Sequence, residues 1–358
     1  MTAEASLEAG VPDGAPTPGA PRIRGGGAVG RATPPGRGGR VLALLTGYVP
    51  RRLGQALIVL WIAFTAAFVL LQAMPGDAIM IRFENPELGL SPEQIANIRA
   101  SYGVDDPVLI QYLHTFAGFI RGDFGYSVQS GTPVRQLIAE AFPQTLVLAA
   151  AGFVLAVLLA FAIAFLSASA RFAWIRTALR SVPSLFVSVP VFWLGIVLIQ
   201  FFSFRLGWVA VINPGPVEGL ILPVLTLAVP IAAPIAQILT RSIDEVYTQP
   251  FVRVVQAKGA SPSWVLWRNV LKNATLPTLT MAGILFGELI GGAVVTETVF
   301  GRSGIGRITE QAVANQDTPV LQAVVLLAAT VFVLINLAVD LIYPKLDPRL
   351  ARRIGGSR

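Results

Sequence analysis

Residues 145–167 read TLVLAAAGFVLAVLLAFAIAFLS, a run without a single Asp, Glu, Lys or Arg. A bilayer core about 30 Å thick is crossed by about 20 helical residues. This run is therefore expected to cross a membrane. Working outward, five more runs of the same kind appear: Leu53–Ala73 before it, then Ser181–Phe204, Leu220–Leu239, Leu276–Thr296 and Val320–Tyr343 after it. Together they account for a chain that is 54% hydrophobic and only 13% charged, where a soluble domain carries about 25% charged residues. Six runs of this length argue against a soluble protein with buried helices. The expected fold class is an all-α membrane protein with six transmembrane helices. Pro183, Pro190, Pro223, Pro230 and Pro234 fall in the third and fourth runs. A membrane helix tolerates Pro where neighbouring helices satisfy the freed backbone groups.

Lys and Arg concentrate in cytoplasmic loops. With the N-terminus inside, the inner segments hold 20 of them and the outer segments 7, so both termini are expected in the cytoplasm. The net charge of +7 reads as this topology. No basic patch or recognition motif points to nucleic acid.

Residues 1–40 are rich in Gly, Pro and Ala and cannot bury enough surface to offset their ordering entropy. They are expected to form a disordered cytoplasmic tail, followed by a transmembrane domain over 41–350 and a basic tail over 351–358. The first long apolar run starts after residue 50, which does not suit a signal peptide. Gly25 and Gly30 resemble a phosphate loop only faintly, since the Lys, the Ser/Thr and a preceding strand are missing. An outer segment, 74–144, contains the amphipathic stretches Glu93–Ser101 and Val108–Ile120, expected as short helices packed on the outer face. An inner segment, 242–275, reads as a helix, a turn at Gly259–Pro262 and a second helix that Ser261 caps and Pro262 opens.

Chemistry is sparse. With no cysteine and a single histidine, His114, thiol catalysis, disulfides and Cys-ligated metals are excluded. One histidine makes no constellation. There is no G-x-S-x-G, no H-E-x-x-H and no complete nucleotide loop, so neither a catalytic site nor a cofactor or metal is expected. Energy for active transport must come from an ion gradient or from a separate ATPase pushing on an inner loop, for which 242–275 offers a surface. In the fifth run Gly283, Gly287 and Gly291 recur every four residues, with Gly292 alongside. Such a face lets another backbone approach closely, in a bundle centre, at a subunit interface or in ordinary packing. Glu288 lies among them. An acid within a membrane faces protein or water, so it either lines a substrate path or bonds to a neighbouring helix. Glu297 and Asp340 sit near the interfaces and suit structural roles.

Several stretches carry a resemblance. They are Met74-Pro75-Gly76-Asp77, Tyr102-Gly103-Val104-Asp105-Asp106-Pro107, Gln111-Tyr112-Leu113, Gly122-Asp123-Phe124-Gly125-Tyr126-Ser127 and Pro143-Gln144-Thr145-Leu146. After them come Arg253-Val254-Val255-Gln256-Ala257-Lys258-Gly259-Ala260, Asn273-Ala274-Thr275-Leu276-Pro277, Thr296-Glu297-Thr298-Val299-Phe300, Gly304-Ile305-Gly306, Val339-Asp340-Leu341-Ile342-Tyr343 and Leu346-Asp347-Pro348-Arg349. In this order, over about Pro50–Arg353, the chain resembles the permease subunit of ATP-binding-cassette importers, in the dipeptide/oligopeptide/nickel branch. The resemblance implies a type I importer permease, half of a pore in a bacterial inner membrane. It also implies a second homologous permease, two ATPase subunits and an extracytoplasmic binding protein. Residues 242–275 would couple to the ATPase, with Gly259 as the signature glycine and Arg253, Ala257, Lys258, Ala260 and Ser261 around it. The cargo would be short peptides, a metal chelate, or an opine-like or glutathione-like solute. Arg253 stands where the general signature has Glu, and Ser303 where a Pro is expected; Glu288 and the long tail are further departures. A stand-alone ion-coupled transporter would instead show an inverted repeat and buried ion ligands, and neither is apparent in the sequence.

Overall fold

The computed structural model describes residues 49–72, 91–94 and 106–346. Both tails, the 74–77 and 102–105 stretches and most of Glu93–Ser101 lie outside them, as does the side chain of Asp340. Helices α1 (Val49–Gln72), α2 (Val108–Arg121) and α3 (Val134–Ser169) come first, followed by α4 (Ala173–Ser188), α5 (Val191–Leu198) and α6 (Glu218–Tyr247). Next are α7 (Pro250–Ala257) and α8 (Pro262–Val265), then α9 (Leu271–Val299), α10 (Ile305–Ala314) and α11 (Thr318–Leu346). Among the described residues no strand forms, apart from a single bridge between Tyr126 and Pro133.

Among the described residues four helices are long and apolar enough to cross a bilayer, and up to six spans result if each of two bent pairs counts as one. The third expected run is not one helix. Its halves, Ala173–Ser188 and Val191–Arg205, meet at 101°. Pro190 is the cause: it bars the helical conformation from the residue before it, and Val189 is extended at φ −93°, ψ 120°. The fourth run behaves oppositely. Pro223, Pro230 and Pro234 all lie inside the unbroken α6. Pro223 has no N–H for the Gly219 carbonyl, and the Arg302 Nη1 donates to that oxygen instead, at 2.9 Å. A charged side chain thus replaces the missing backbone bond, as lipid surroundings require. The second run begins earlier than expected, because α3 extends back to Val134 through Pro143. The first eleven residues of that helix belong to what reads in sequence as the outer segment.

The core is an alanine-faced contact between α3 and α6. Ala149, Ala156, Ala160 and Ala164 on α3 are fully buried, as are Ala228, Ala232, Ala233 and Ala236 on α6. Gly152 belongs to the same face, where an added Cβ would stand 3.1 Å from Leu227. Small residues bring helix axes close and gain dispersion contacts where no hydrophobic drive exists between helices. Ala282, Leu285, Leu289 and Ala293 of α9 pack onto this pair and are buried.

Within this chain Gly287, Gly291 and Gly292 of α9 meet no other backbone closely. Gly283 is buried and Gly287 half-buried, while Gly291 is exposed with nothing near its Cβ position. Gly287 faces a ring rather than a backbone: an added Cβ would lie 2.6 Å from Phe332 Cδ2 of α11. Gly292 would meet only Leu227, at 3.6 Å. Four-residue spacing drifts around a 3.6-residue turn, so the glycines do not share one partner. They coincide instead with a 50° bend between Pro262–Leu289 and Gly291–Val299, where glycine weakens the helix.

At the end of the bundle where α3 starts, Phe64 and Phe68 of α1 interlock with Tyr112, Phe116 and Phe119 of α2, and Trp61 Nε1 donates to the Tyr112 hydroxyl at 3.1 Å. The amphipathic α2 therefore lies along α1. His114 is exposed on α2. Gly287→Ala is expected to destabilise the purified chain by about 1–3 kcal/mol through overpacking, read as a lower midpoint of thermal unfolding in detergent. Adding Phe332→Ala should recover part of the loss, and no recovery would place the defect elsewhere.

Candidate functional site

The 242–275 segment folds as a supported turn. Pro250 opens α7 and Lys258 closes it. Gly259 then takes φ +86°, a left-handed conformation that L side chains resist and that ends helices well. Ser261 caps the next helix by accepting from the Trp264 N–H at 3.3 Å, and Pro262 occupies its first turn. Arg253, Ala257, Lys258, Gly259 and Ser261 are exposed and Ala260 is half-buried. Phe251, Val254, Trp264 and Trp267 are also exposed, which leaves an apolar rim around a basic turn. Underneath, Val252, Val265, Leu266 and Val270 are buried in one cluster with Ala164 of α3, Leu239 and Ile243 of α6, and Ala274 of α9. The turn is thus fixed to the ends of three long helices.

The exposed face of α9 carries Ile284, Glu288, Gly291, Val295 and Thr298. These recur at helical spacing on the side away from the α3–α6 core. Glu288 has no hydrogen-bond or ion-pair partner among the described residues, so its carboxylate stands on a face this chain leaves open.

At the opposite end of the bundle the structure joins motifs that are far apart in sequence. Glu297 is fully buried. It accepts from Thr145 Oγ1 at 2.6 Å and from the Gly306 N–H at 2.7 Å, while Thr145 Oγ1 itself accepts from the Ile305 N–H at 2.8 Å. The carboxylate therefore sits on the N-terminus of α10, where helix polarity favours negative charge. Gly304 and Gly306 are required by packing: a Cβ on Gly304 would collide with the Glu297 carboxylate and one on Gly306 with the Val294 backbone. A second buried acid, Asp317, accepts from Ser127 Oγ and from the N–H groups of Val128 and Gln129. It pins the glycine-rich turn after α2 to the start of α11. Asp317 escapes a reading by sequence alone. Glu297 and Gly304-Ile305-Gly306 are visible there as neighbouring motifs, but not their closure on Thr145.

Among the described residues no cluster of His, Cys, Asp and Glu could hold a metal. Thr145→Val keeps the shape but strips both hydrogen bonds, which should cost about 1–3 kcal/mol for buried groups left unpaired. A lowered unfolding midpoint, restored in Thr145→Ser, is the expected result.

Comparison with known proteins gives the family. Residues 156–352 match the family described as "Binding-protein-dependent transport system inner membrane component". Residues 45–149 match "Binding-prot-dependent transport system membrane comp, N-term". The chain is 38% identical over 311 residues to a "Probable peptide ABC transporter permease protein y4tP" of Sinorhizobium fredii, covering 85% of this chain and 98% of that protein. It is 35% identical over 303 residues to the "Glutathione transport system permease protein GsiC" of Escherichia coli (strain K12), again covering 85% and 98%. A chain of the inward-facing MetNI methionine ABC transporter superimposes with a TM-score of 0.51 at 19% identity, covering 59% of this chain and 97% of that one, a likeness of fold.

Proposed function

The chain belongs to the family of binding-protein-dependent transport system inner membrane components, and from that premise we propose how it works within its importer. It is an ABC importer permease subunit, not an enzyme; an ion-coupled stand-alone transporter is not what its relatives are. Such a permease works with ATPase and substrate-binding components. In our reading it forms half of the translocation path beside a second homologous permease, above two ATPase subunits and beneath an extracytoplasmic binding protein. Both termini lie in the cytoplasm, and lipid surrounds the remaining faces.

The observation that carries this reading is the exposed Gly259 turn seated on buried apolar side chains of α3, α6 and α9. In it Arg253, Ala257, Lys258, Gly259, Ala260 and Ser261 dock on the ATPase, with the exposed aromatic rim entering a groove. Because the turn is packed rather than tethered, ATP-driven closure moves the helices as rigid bodies. Glu288, on the open face of α9 with Gly291, lines the path, and Gly283, Gly287 and Gly292 set the packing and bend behind it. The cargo is a short peptide or a related small solute such as a metal chelate, a reading supported by the peptide and glutathione names of the relatives.

Gly259→Asp would be strained by its positive φ rather than by a clash, since nothing lies within 4 Å of the Cβ position. The variant is expected to reach the membrane and keep its partners while uptake falls about tenfold, the size of a coupling loss near 1.4 kcal/mol. Normal uptake at normal expression would sink the coupling assignment. Co-purification from the native membrane tests the assembly: an ATPase and a second permease should accompany the tagged chain. Glu288→Gln should slow uptake of cationic peptides more than that of neutral ones, and an equal effect on both would take Glu288 out of the path.

A further inference from the structure

A cleft of about 290 Å³ opens at the end of the bundle away from the Gly259 turn. Its walls come from the loop before α6, the first turns of α6, Gln144 of α3 and the Phe300–Arg302 corner after α9. The 30 residues of α6 separate it from the coupling turn by about 45 Å at 1.5 Å per residue.

Two charges of opposite sign line this cleft without neutralising each other. Arg302 is held by its Nη1, which donates to the Gly219 carbonyl at 2.9 Å. Its Nε is buried and has no hydrogen-bond partner. That nitrogen is closed to solvent, so what the half-buried side chain offers the cleft is its charge, which the buried Glu297 behind it shares; a second anionic oxygen on the cleft side suits a guanidinium. Glu218 is held separately, accepting from the Ala210 N–H at 2.5 Å, and forms no ion pair with Arg302 among the described residues. Asn213, on the rim, takes φ +49°. Asn is one of the residues that adopts this left-handed conformation readily in a turn.

We propose that the cleft is a landing site for an unblocked short peptide, with Arg302 receiving the terminal carboxylate and Glu218 the terminal ammonium. This deepens the reading given above and rests on peptide cargo. An unblocked peptide carries both charges at its ends, as the cleft presents both to one volume. The site would hold cargo between its release from a binding protein and its entry past the bend of α9.

Because the chain has no cysteine, Ala210→Cys places its only thiol on the cleft wall. The assembled importer bearing it would be reconstituted in liposomes and treated with a membrane-impermeant maleimide. Unblocked alanine di- to pentapeptides at millimolar concentration should slow labelling several-fold. Their C-terminal amides should slow it much less, and Arg302→Lys should remove most of the protection. The amide comparison needs no change at Arg302, so a folding defect in that variant cannot mimic the result. Equal protection by acid and amide would overturn the proposal, as would no protection in liposomes that take up these peptides. Liposomes that take up no unblocked peptide, with the binding protein present, would overturn the peptide reading itself and this site with it.

Discussion

Ala156 and Ala160 of α3 lie fully buried against Ala228, Ala232 and Ala236 of α6, and the other elements take their positions from that pair. Lipid tails are as apolar as side chains, so helices in a membrane gain little from hiding apolar surface from one another. Contact must come from shape. Two helix faces built from alanine and one glycine allow it, and α9 then adds its own buried stripe to the groove they make. The bend in α9 and the break between α4 and α5 are accommodated around a pair of unbroken helices.

The same surroundings govern the polar groups. Without water in the bilayer core, a carbonyl or carboxylate must find its partner within the protein. Pro223 frees the Gly219 carbonyl and Arg302 takes it. Glu297 accepts from a hydroxyl and a helix N-terminus, and Asp317 from a hydroxyl and two backbone N–H groups. All of these lie at one end of the bundle, where α3, α6, α9, α10 and α11 converge. They act as fixed joints there, and the cleft beside Arg302 shares α3, the start of α6 and the corner after α9 with them.

At the other end the joints are apolar. The Gly259 turn is held by valine, leucine and isoleucine side chains of adjacent helices, and packed interiors transmit displacement because they yield little. A push on the turn reaches α3, α6 and α9 together. With packed joints at both ends, the bend near Gly291 and the open face bearing Glu288 are the part of α9 that this chain supports least.

The sequence by itself determined the membrane-crossing character, the Gly259 turn with its cap and proline, and the family. Each of these is written in local signals: run length, a Ser-Pro pair after glycine, ordered short motifs. It could not tell which prolines break a helix. Pro190 does and Pro223 does not, although both carry the same local restriction; at Pro223 the freed carbonyl is taken by Arg302, 83 positions away. The regular glycine spacing in α9 suggested a backbone contact, while the neighbour across Gly287 is the Phe332 ring, a fact about register between helices. The closure of Thr145, Glu297 and Gly306 joins residues more than a hundred and fifty positions apart, and Ser127 with Asp317 is wider still. Local patterns report what a segment prefers alone, whereas partners so far apart in the chain are chosen only when the helices pack.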